Sequence, residues 1–266
     1  MLPAGPSGRL FKAQFQIGIV TRHCYKPGHP LNVLNIVAVI TARGGSRGLP
    51  RKNVLPLAGV PLIVHSIRAA REARLVRRVL VSTDDEEIIA ISRQNEAEVP
   101  FVRPPELSTA DSAHIDVMLH VVSWLEENGD LPDAVLLLQP TTPLRTAEDL
   151  DGAIQLMQNT GCPAVVGVSP AESHPYLTYK VDAEGRLTGF IDHGLRYPRR
   201  QDLPPAYTLN GALYLNRCSS LRETQMFQPP GAFGWVMPAE RSVDIDSLDD
   251  FALAESLLMA RASASL

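Results

Sequence analysis

The chain has 266 residues, of which 45% are hydrophobic, and its 25 Lys and Arg residues against 29 Asp and Glu residues give a net charge of −4. This length fits one large domain, or one domain with an appendage, and is enough to bury a sizeable core. The composition excludes collagen-like and intrinsically disordered chains. The mild acidity argues against a surface built to coat nucleic acid or an anionic membrane, so any anion site must be local.

Uninterrupted apolar runs in the chain are short. The longest, Ile36–Ile40 and Ala134–Leu138, have the length of a strand, whereas a span of the bilayer needs about 18 to 20 apolar residues. The cysteines are odd in number and scattered, which favours a reducing compartment over a disulfide framework. We therefore expect a cytoplasmic protein whose partners include neither a nucleic acid nor a membrane.

Residues 1–34 contain several Pro and Gly residues and show no amphipathic period. We interpret them as a dispensable N-terminal extension, or as the product of a start codon assigned too far upstream. His23, Cys24 and His29 lie in this segment, but they lack a second ligand pair at any zinc spacing, so no metal site is predicted there. The folded domain is predicted to cover 35–262.

From Asn35 onward, short β-branched runs alternate with longer amphipathic stretches. This alternation is typical of an α/β fold in which helices cover a mostly parallel sheet on both faces. The predicted strands are 36–41, 79–82, 134–138 and 164–168. The predicted helices cover 61–74 and 115–127, and two more begin after Asp84-Asp85 and at Thr146-Ala147-Glu148-Asp149, where acidic residues and a capping-box pattern suit a helix N-terminus.

The segment at about 169–205 has a different pattern. Two short runs, Tyr176–Val181 and Leu187–Ile191, flank an Ala183-Glu184-Gly185 turn and predict a hairpin, so this segment is interpreted as an inserted arm. The sheet pattern then resumes, with predicted strands at Ala212–Leu215, Trp235–Met237 and Val243–Ile245 and a helix at about 248–260.

The clearest chemical signal is a basic, glycine-rich loop that follows the first strand, at 41–53. Its three glycines allow a tight turn and a close approach to a ligand, and its four cations come without an intervening acid: Arg43, Arg47, Arg51 and Lys52. The spacing matches neither the Walker motif nor the dinucleotide fingerprint. The composition predicts a polyphosphate cradle at the carboxyl end of a strand, and the alternative is a solvated basic turn.

Two carboxylates near the C-terminus provide the second signal. Asp244 and Asp246 are separated by one apolar residue, so in a strand both would point to the same face and could share one Mg²⁺. The alternative is a helix cap or a solvated face. Together with the basic loop, the pair favours metal-assisted phosphoryl or nucleotidyl transfer.

A set of motifs, in chain order, resembles the acylneuraminate cytidylyltransferases, the CMP-sialic acid synthetase family. The first is the loop itself, from Ala42 to Asn53. The others are Ser82-Thr83-Asp84-Asp85, Arg103-Pro104-Pro105-Glu106-Leu107, Leu138-Gln139-Pro140-Thr141-Thr142-Pro143-Leu144-Arg145, Arg200-Gln201-Asp202-Leu203-Pro204, Asn210-Gly211-Ala212-Leu213-Tyr214 and Asp244-Ile245-Asp246. The resemblance covers roughly 35–260.

The resemblance implies a Rossmann-like nucleotidyltransferase fold and a Mg²⁺-dependent reaction. In that reaction, the anomeric 2-hydroxyl of a nonulosonic acid attacks the α-phosphate of CTP and releases pyrophosphate. It also implies a homodimer in which the arm reaches over the partner's active site. The residues implied as catalytic are Arg43, Lys52 and Asp246; those for the nucleotide are Ala42, Arg43, Gly44, Gly45, Lys52, Asn53 and Arg103; those for the sugar are Gln139, Arg200 and Tyr214; and those for the metal are Asp244 and Asp246.

Two departures from the family pattern concern specificity. His174-Pro175 is followed by Tyr176, with Lys180 further on, where enzymes for N-acetylneuraminate commonly carry a Lys two residues after the pair; legionaminate, pseudaminate or the deaminated sugar therefore stay open. His114 stands where a small hydroxyl residue is usual, which affects the expected contacts to the base. The alternatives are a related nucleotidyltransferase for 3-deoxy-octulosonate or a sugar 1-phosphate, a nicotinamide-dependent oxidoreductase, and a non-catalytic nucleotide-binding module.

Overall fold

The computed structural model describes residues 33–45, 48–192 and 199–264. The predicted extension, with His23, Cys24 and His29, lies almost entirely outside these residues, and so does Arg47 of the basic loop. In chain order the strands are β1 (Ile36–Thr41), β2 (Pro56–Leu57), β3 (Val60–Pro61), β4 (Arg78–Ser82), β5 (Ala134–Leu138), β6 (Ala164–Pro170), β7 (Tyr179–Val181), β8 (Leu187–Gly189), β9 (Tyr207–Arg217) and β10 (Phe233–Val236).

Six of these strands form the central sheet, in the order β10-β6-β9-β5-β1-β4. β1 pairs in parallel with both β4 and β5, and β10 pairs in parallel with β6. β9 alone runs antiparallel to its two neighbours in this sheet. The predicted mostly parallel sheet is confirmed, and one reversed strand lies at its centre.

The helices are α1 (Leu62–Glu72), α2 (Glu86–Gln94), α3 (His114–Glu127), α4 (Ala147–Thr160), α5 (Cys218–Thr224) and α6 (Leu248–Ala264). Alternate side chains of β1 face opposite ways, as the period of a strand requires. Ile36 and Ile40 pack in a core with α1 and α4, whereas Val37 and Val39 pack in a second core with α3 and α5. Helices therefore cover both faces of the sheet, as predicted.

A third, smaller core joins the end of the chain to the loop after β1. Leu49 of that loop, Leu144, Ile245 and Ala254 of α6 are all buried together. Because Ile245 is fully buried, the residues on either side of it are fixed in place. This packing positions Asp244 and Asp246.

Two sequence predictions of local structure were wrong. Val243–Ile245 is not a strand: the segment has no ladder partner, and one backbone–backbone bond, from Ile245 N–H to Thr141 O at 2.8 Å, joins it to the loop after β5. The hairpin is shorter than predicted, since Pro175–Leu177 forms a 3-10 turn before β7; a proline at the first position of that turn favours it over a strand. The remaining predicted elements are present, with ends shifted by a few residues. No helix among the described ranges is long and apolar enough to cross a membrane.

Candidate active site

A cleft of about 450 Å³ opens at the carboxyl ends of the parallel strands β1 and β5, which is where α/β sheets bind ligands. Eight residues that the sequence analysis placed in the site line it: Arg43, Gly45, Lys52, Asn53, Arg103, Gln139, Asp244 and Asp246. His114 lines it as well. The fold therefore brings the two sequence signals, the basic loop and the acidic pair, to one cavity.

The start of the basic loop is held by bonds to the backbone. The Arg43 guanidinium donates to Thr109 O, and the Asn53 side-chain amide donates to Arg43 O at 3.0 Å. Ala42 is buried, and its N–H donates to Ser82 O at 3.1 Å, so its role in this structure is to fix the loop to β4. These contacts place the Arg43 side chain at the cleft.

The amino end of α2 clamps the other side of the loop. Gly44 N donates to Asp84 Oδ1 at 3.0 Å, and a Cβ on Gly44 would lie 2.5 Å from Asp85 Oδ2, so a side chain there would displace the Asp85 carboxylate. Arg51 pairs with Asp85 and Glu87. The predicted cradle of four cations is therefore wrong in part, because Arg51 binds these acids and does not line the cleft.

Lys52 connects the basic loop to the acidic pair. Its side chain is nearly buried, and Nζ donates to Ile245 O and lies 3.2 Å from Asp246 Oδ1. Gly48 approaches the same place, since a Cβ there would lie 2.7 Å from Asp246 O. Lys52 and Asp246 are thus direct neighbours. The sequence analysis assigned Lys52 to phosphate and Asp246 to the metal.

Asp244 and Asp246 both reach the cleft, although the segment is not a strand. The surrounding protein shields the carboxylate of Asp244 from water in part, which raises the pKa of Asp244, and the negative charge of Asp246 adds to the effect. A divalent cation would offset this repulsion, and Mg²⁺ binds through one or two carboxylates together with substrate phosphates. The donor set therefore fits Mg²⁺, while no cluster of three or more His, Cys, Asp or Glu occurs in the described part of the chain.

Arg103 and His114 form the opposite side of the cleft. Arg103 Nε donates to Ser82 Oγ at 3.0 Å, and burial, with the nearby charge of Arg43, lowers the pKa of Arg103 to about 10 even though Asp84 opposes the shift. His114 Nδ1 lies 3.1 Å from Thr41 Oγ1. Burial and the charges of Arg103 and Arg43 lower the pKa of His114, so its imidazole is neutral at pH 7.

Gln139 follows β5 and lines the cleft beside Asp244. Gly211 of β9 packs against both, with a φ of 71°. A Cβ on Gly211 would lie 2.8 Å from Gln139 Oε1 and 3.6 Å from Asp244 Oδ2. The register of the β6–β9 pair shifts beside this point, between Val166 and Val168, and such bulges often occur next to active sites.

Tyr214, a second predicted sugar residue, is not among the described residues that line this cleft. Tyr214 is half-buried in β9, and its ring packs on Phe227 with centroids 5.1 Å apart. Burial, with the charge of Asp244, raises the pKa of Tyr214. Arg200 begins a 3-10 turn, Arg200–Asp202, and its side chain lies outside the described part of the structure.

Sequence reasoning missed several residues that build the site. Thr141 is hydrogen-bonded to Asp244 through its side chain, and Arg145 is buried behind Gln139. Both lie in the Gln-Pro-Thr-Thr-Pro-Leu-Arg run that follows β5. Two prolines in a loop at the carboxyl end of a central strand were the available signal, because they indicate a rigid turn where ligands bind.

Comparison with known proteins agrees with this geometry. The family model described as Cytidylyltransferase matches residues 37–211. The chain is 34% identical over 232 residues to CMP-N,N'-diacetyllegionaminic acid synthase of Legionella pneumophila, covering 85% of this chain and 97% of that protein. It is 36% identical over 218 residues to N-acylneuraminate cytidylyltransferase of Streptococcus agalactiae, covering 81% of this chain but about half, 51%, of that longer protein.

A solved structure of CMP:2-keto-3-deoxy-manno-octonic acid synthetase complexed with CTP matches with a TM-score of 0.64 at 19% identity, covering 85% of this chain and 99% of that one. This likeness supports the predicted Rossmann-like nucleotidyltransferase fold. The family model covers more than half of the chain, and the Legionella protein aligns over nearly its whole length. The predicted family and enzyme class are therefore confirmed: the chain belongs to the cytidylyltransferase family and is a nucleotidyltransferase.

Proposed function

We propose that this protein transfers CMP from CTP to the anomeric 2-hydroxyl of a nonulosonic acid. One observation carries this function: the cations Arg43 and Lys52, which suit phosphate, line the same cleft as the carboxylates Asp244 and Asp246. The relatives of this chain are named for CMP activation of nonulosonic acids. The 2-hydroxyl oxygen bonds to the α-phosphorus and the bond to the β-phosphate oxygen breaks. Pyrophosphate departs with that oxygen and the electron pair of the broken bond, and the hydroxyl proton is released to water.

The cations supply the electrostatic part of the reaction. Negative charge grows on the α-phosphate and on the leaving pyrophosphate, and preorganised cations stabilise that charge without moving. Lys52 meets this condition because its Nζ is fixed by Ile245 O and Asp246. Arg43 meets it because Thr109 and Asn53 hold its two ends.

Asp244 and Asp246 would hold Mg²⁺. The family generally uses a divalent metal, and the donor set described above suits magnesium. When bound, the ion neutralises phosphate oxygens and lowers the pKa of a coordinated hydroxyl. Arg103 and His114 lie at the end of the cleft away from these acids, where Asn53 and the 107–112 segment complete the proposed base site.

On the sugar side, Gln139 is proposed to bind the acceptor, since it lies in the cleft next to Asp244. Arg200 is proposed to pair with the sugar carboxylate. Tyr214 is proposed to support the sugar site without contacting the sugar, because its ring packs on Phe227. Glu172, Ser173 and Leu209 line a second hollow of about 810 Å³ that also reaches Asp244, which leaves room for a nine-carbon acid.

We further propose a homodimer built through the arm. The hairpin β7–β8 is exposed on both strands, and several large apolar side chains remain exposed on it and just after it: Tyr179, Val181, Leu187, Phe190 and Ile191. Lys180 Nζ lies 4.9 Å from the Phe190 ring centroid. A partner subunit would bury this apolar surface.

The test is pyrophosphate release with Mg²⁺, each nucleoside triphosphate in turn, and a panel that includes N-acetylneuraminate, N,N'-diacetyllegionaminate, pseudaminate and 3-deoxy-octulosonate. We expect release only with CTP and a nine-carbon acid. Asp246→Asn should lower kcat about 10²-fold. Asp249→Asn is the matched control, because Asp249 is exposed in the first turn of α6 and does not line the cleft. Release with 3-deoxy-octulosonate alone, or none with any pair, would contradict the proposal.

A further inference from the structure

Arg145 is a cation buried in the interior directly behind the cleft. Its exposed fraction is 3%, and no carboxylate lies within ion-pair distance of it among the residues that the structure describes. Burial lowers the pKa of Arg145 to about 9, although the more distant charges of Asp149 and Asp244 oppose the shift. Burying a guanidinium without an ion pair costs free energy, and proteins keep such a group only where its hydrogen bonds are needed.

The guanidinium satisfies its donors on three separate elements. Nε donates to Ala212 O of β9 at 2.6 Å, and Nη1 donates to Ser66 Oγ of α1, also at 2.6 Å. Nη2 donates to Gln139 O and to Thr142 Oγ1. One side chain therefore ties the end of β5 to the reversed strand β9 and to α1.

Two of these bonds meet at the wall of the cleft. Gln139 carries its amide into the cavity, and its carbonyl is one of the four acceptors of Arg145. Thr142 Oγ1 lies 3.2 Å from Gly211 O, and Gly211 packs against the Gln139 amide. Arg145 thus holds the backbone of Gln139 directly, and it holds the backbone of Gly211, on the other side of the Gln139 side chain, through Thr142.

We propose that Arg145 is a positioning residue for the acceptor sugar, acting by fixing Gln139 against Gly211. The inference rests on the proposed function of Gln139 and adds the group that orients it. Arg43, Lys52 and Arg103 are held by partners other than Arg145, namely Thr109 O, Ile245 O and Ser82 Oγ. Loss of the Arg145 bonds therefore disturbs the acceptor side of the cleft and leaves the CTP side in place.

Arg145→Lys is the main variant, because lysine keeps a positive charge but cannot span four acceptors in the planar fork of arginine. We expect the KM for the nonulosonic acid to rise at least 10-fold, while the Kd for CTP, measured by calorimetry without acceptor, stays within twofold. Arg217→Lys is the matched control. Arg217 donates to Cys162 O at 3.1 Å at the last residue of β9, beyond Ala212 and away from the cleft lining, so its replacement should alter neither constant.

A double-mutant cycle with Gln139→Ala separates positioning from general loss of structure. If Arg145 acts through Gln139, then Arg145→Lys raises the acceptor KM less than twofold in the Gln139→Ala background. If the Arg145→Lys variant does not fold, the Thr142→Val variant is used in its place. It removes the hydroxyl between Arg145 and Gly211 at nearly constant volume and should also raise the acceptor KM selectively.

An equal rise in the acceptor KM and the Kd for CTP, no rise in either, or full additivity in the cycle would overturn the inference. Failure of the proposed function would be recognised by a different outcome from failure of the role of Arg145. A folded wild-type protein that releases no pyrophosphate from CTP with any nine-carbon acid would remove the function itself. A wild-type protein that is active with such an acid, and whose Arg145→Lys variant keeps its acceptor KM, would remove only the role of Arg145.

Discussion

Lys52 Nζ lies 3.2 Å from Asp246 Oδ1, across 194 positions of sequence. The pair joins the loop after the first strand to the segment before the last helix, and Lys52 is nearly buried while Asp246 is open to the cleft. A nucleotide that displaced Asp246 from Lys52 would leave the lysine facing phosphate and the carboxylate free for a metal.

Lys52→Met should lower kcat by about 10² or more, since a fixed cation is lost where charge develops in the transition state. Lys52→Arg should recover little, because the wider guanidinium has to fit a site that is already filled by Ile245 O and Asp246. Steady-state pyrophosphate release checks both variants. Turnover of Lys52→Met within threefold of wild type would exclude Lys52 from the chemistry.

Gly211→Ala should impair both folding and acceptor binding. The residue has a φ of 71°, which costs a residue with a side chain on the order of 1 kcal/mol, and the new Cβ would lie 2.8 Å from Gln139 Oε1. We expect a lower Tm and an acceptor KM raised about 10-fold, with an unchanged Kd for CTP. Gly185→Ala, at a φ of 82° in open space, is the control: it should lose similar stability and keep the acceptor KM.

The Asp149–Arg241 pair predicts how stability depends on pH. Burial alone would raise the pKa of Asp149, but the bonds from Arg241 and from the Thr146 N–H outweigh it and lower that pKa. A lowered pKa in the folded state stabilises the protein at pH values above the ordinary carboxyl value of about 3.9; that contribution starts to fall below this value and is lost as pH falls through the lowered pKa of the folded state.

Asp149→Asn should therefore cost about 3 kcal/mol of unfolding free energy at pH 7 and less at pH 3. Urea unfolding of the wild type and the variant at both pH values measures the difference. Glu148→Gln, one residue earlier in the same helix turn, should change the free energy of unfolding little. A cost that is equal at the two pH values would contradict the assignment to the ion pair.

The clamp between α2 and the basic loop can be tested through CTP binding. Arg51 pairs with Asp85 and Glu87, and Gly44 fits against Asp85, so Asp85→Asn should loosen the loop and raise the KM for CTP several-fold, with little change in Tm because the pair is partly exposed. Glu86→Gln is the control at the neighbouring position. An unchanged KM for CTP would mean that the loop keeps its shape without the clamp.

The sheet and helices were largely predictable because their signals are local. Every residue of strand β1 except Ala38 is β-branched, and the Thr146–Asp149 capping box is observed as predicted. The reversed direction of β9 was not predictable, since the pattern of Ala212–Leu215 is the same for a strand running either way. The pairing of Arg51 with acids at the start of α2 was also not predictable. The four cations of the loop are equivalent in the sequence, and the acids that bind Arg51 lie more than thirty residues later.

The third core has a consequence for the order in which the protein is made. The sheet is complete at Val236, and the loop after β1 leaves the ribosome 194 residues before Asp246 reaches its place beside Lys52. At synthesis rates of about 5 to 20 residues per second, that interval is roughly 10 to 40 s. For that period Leu49 lacks its packing partners Ile245 and Ala254, and Lys52 lacks its bonds to Ile245 O and Asp246, so the basic loop reaches the form seen here only when the end of the chain has been made.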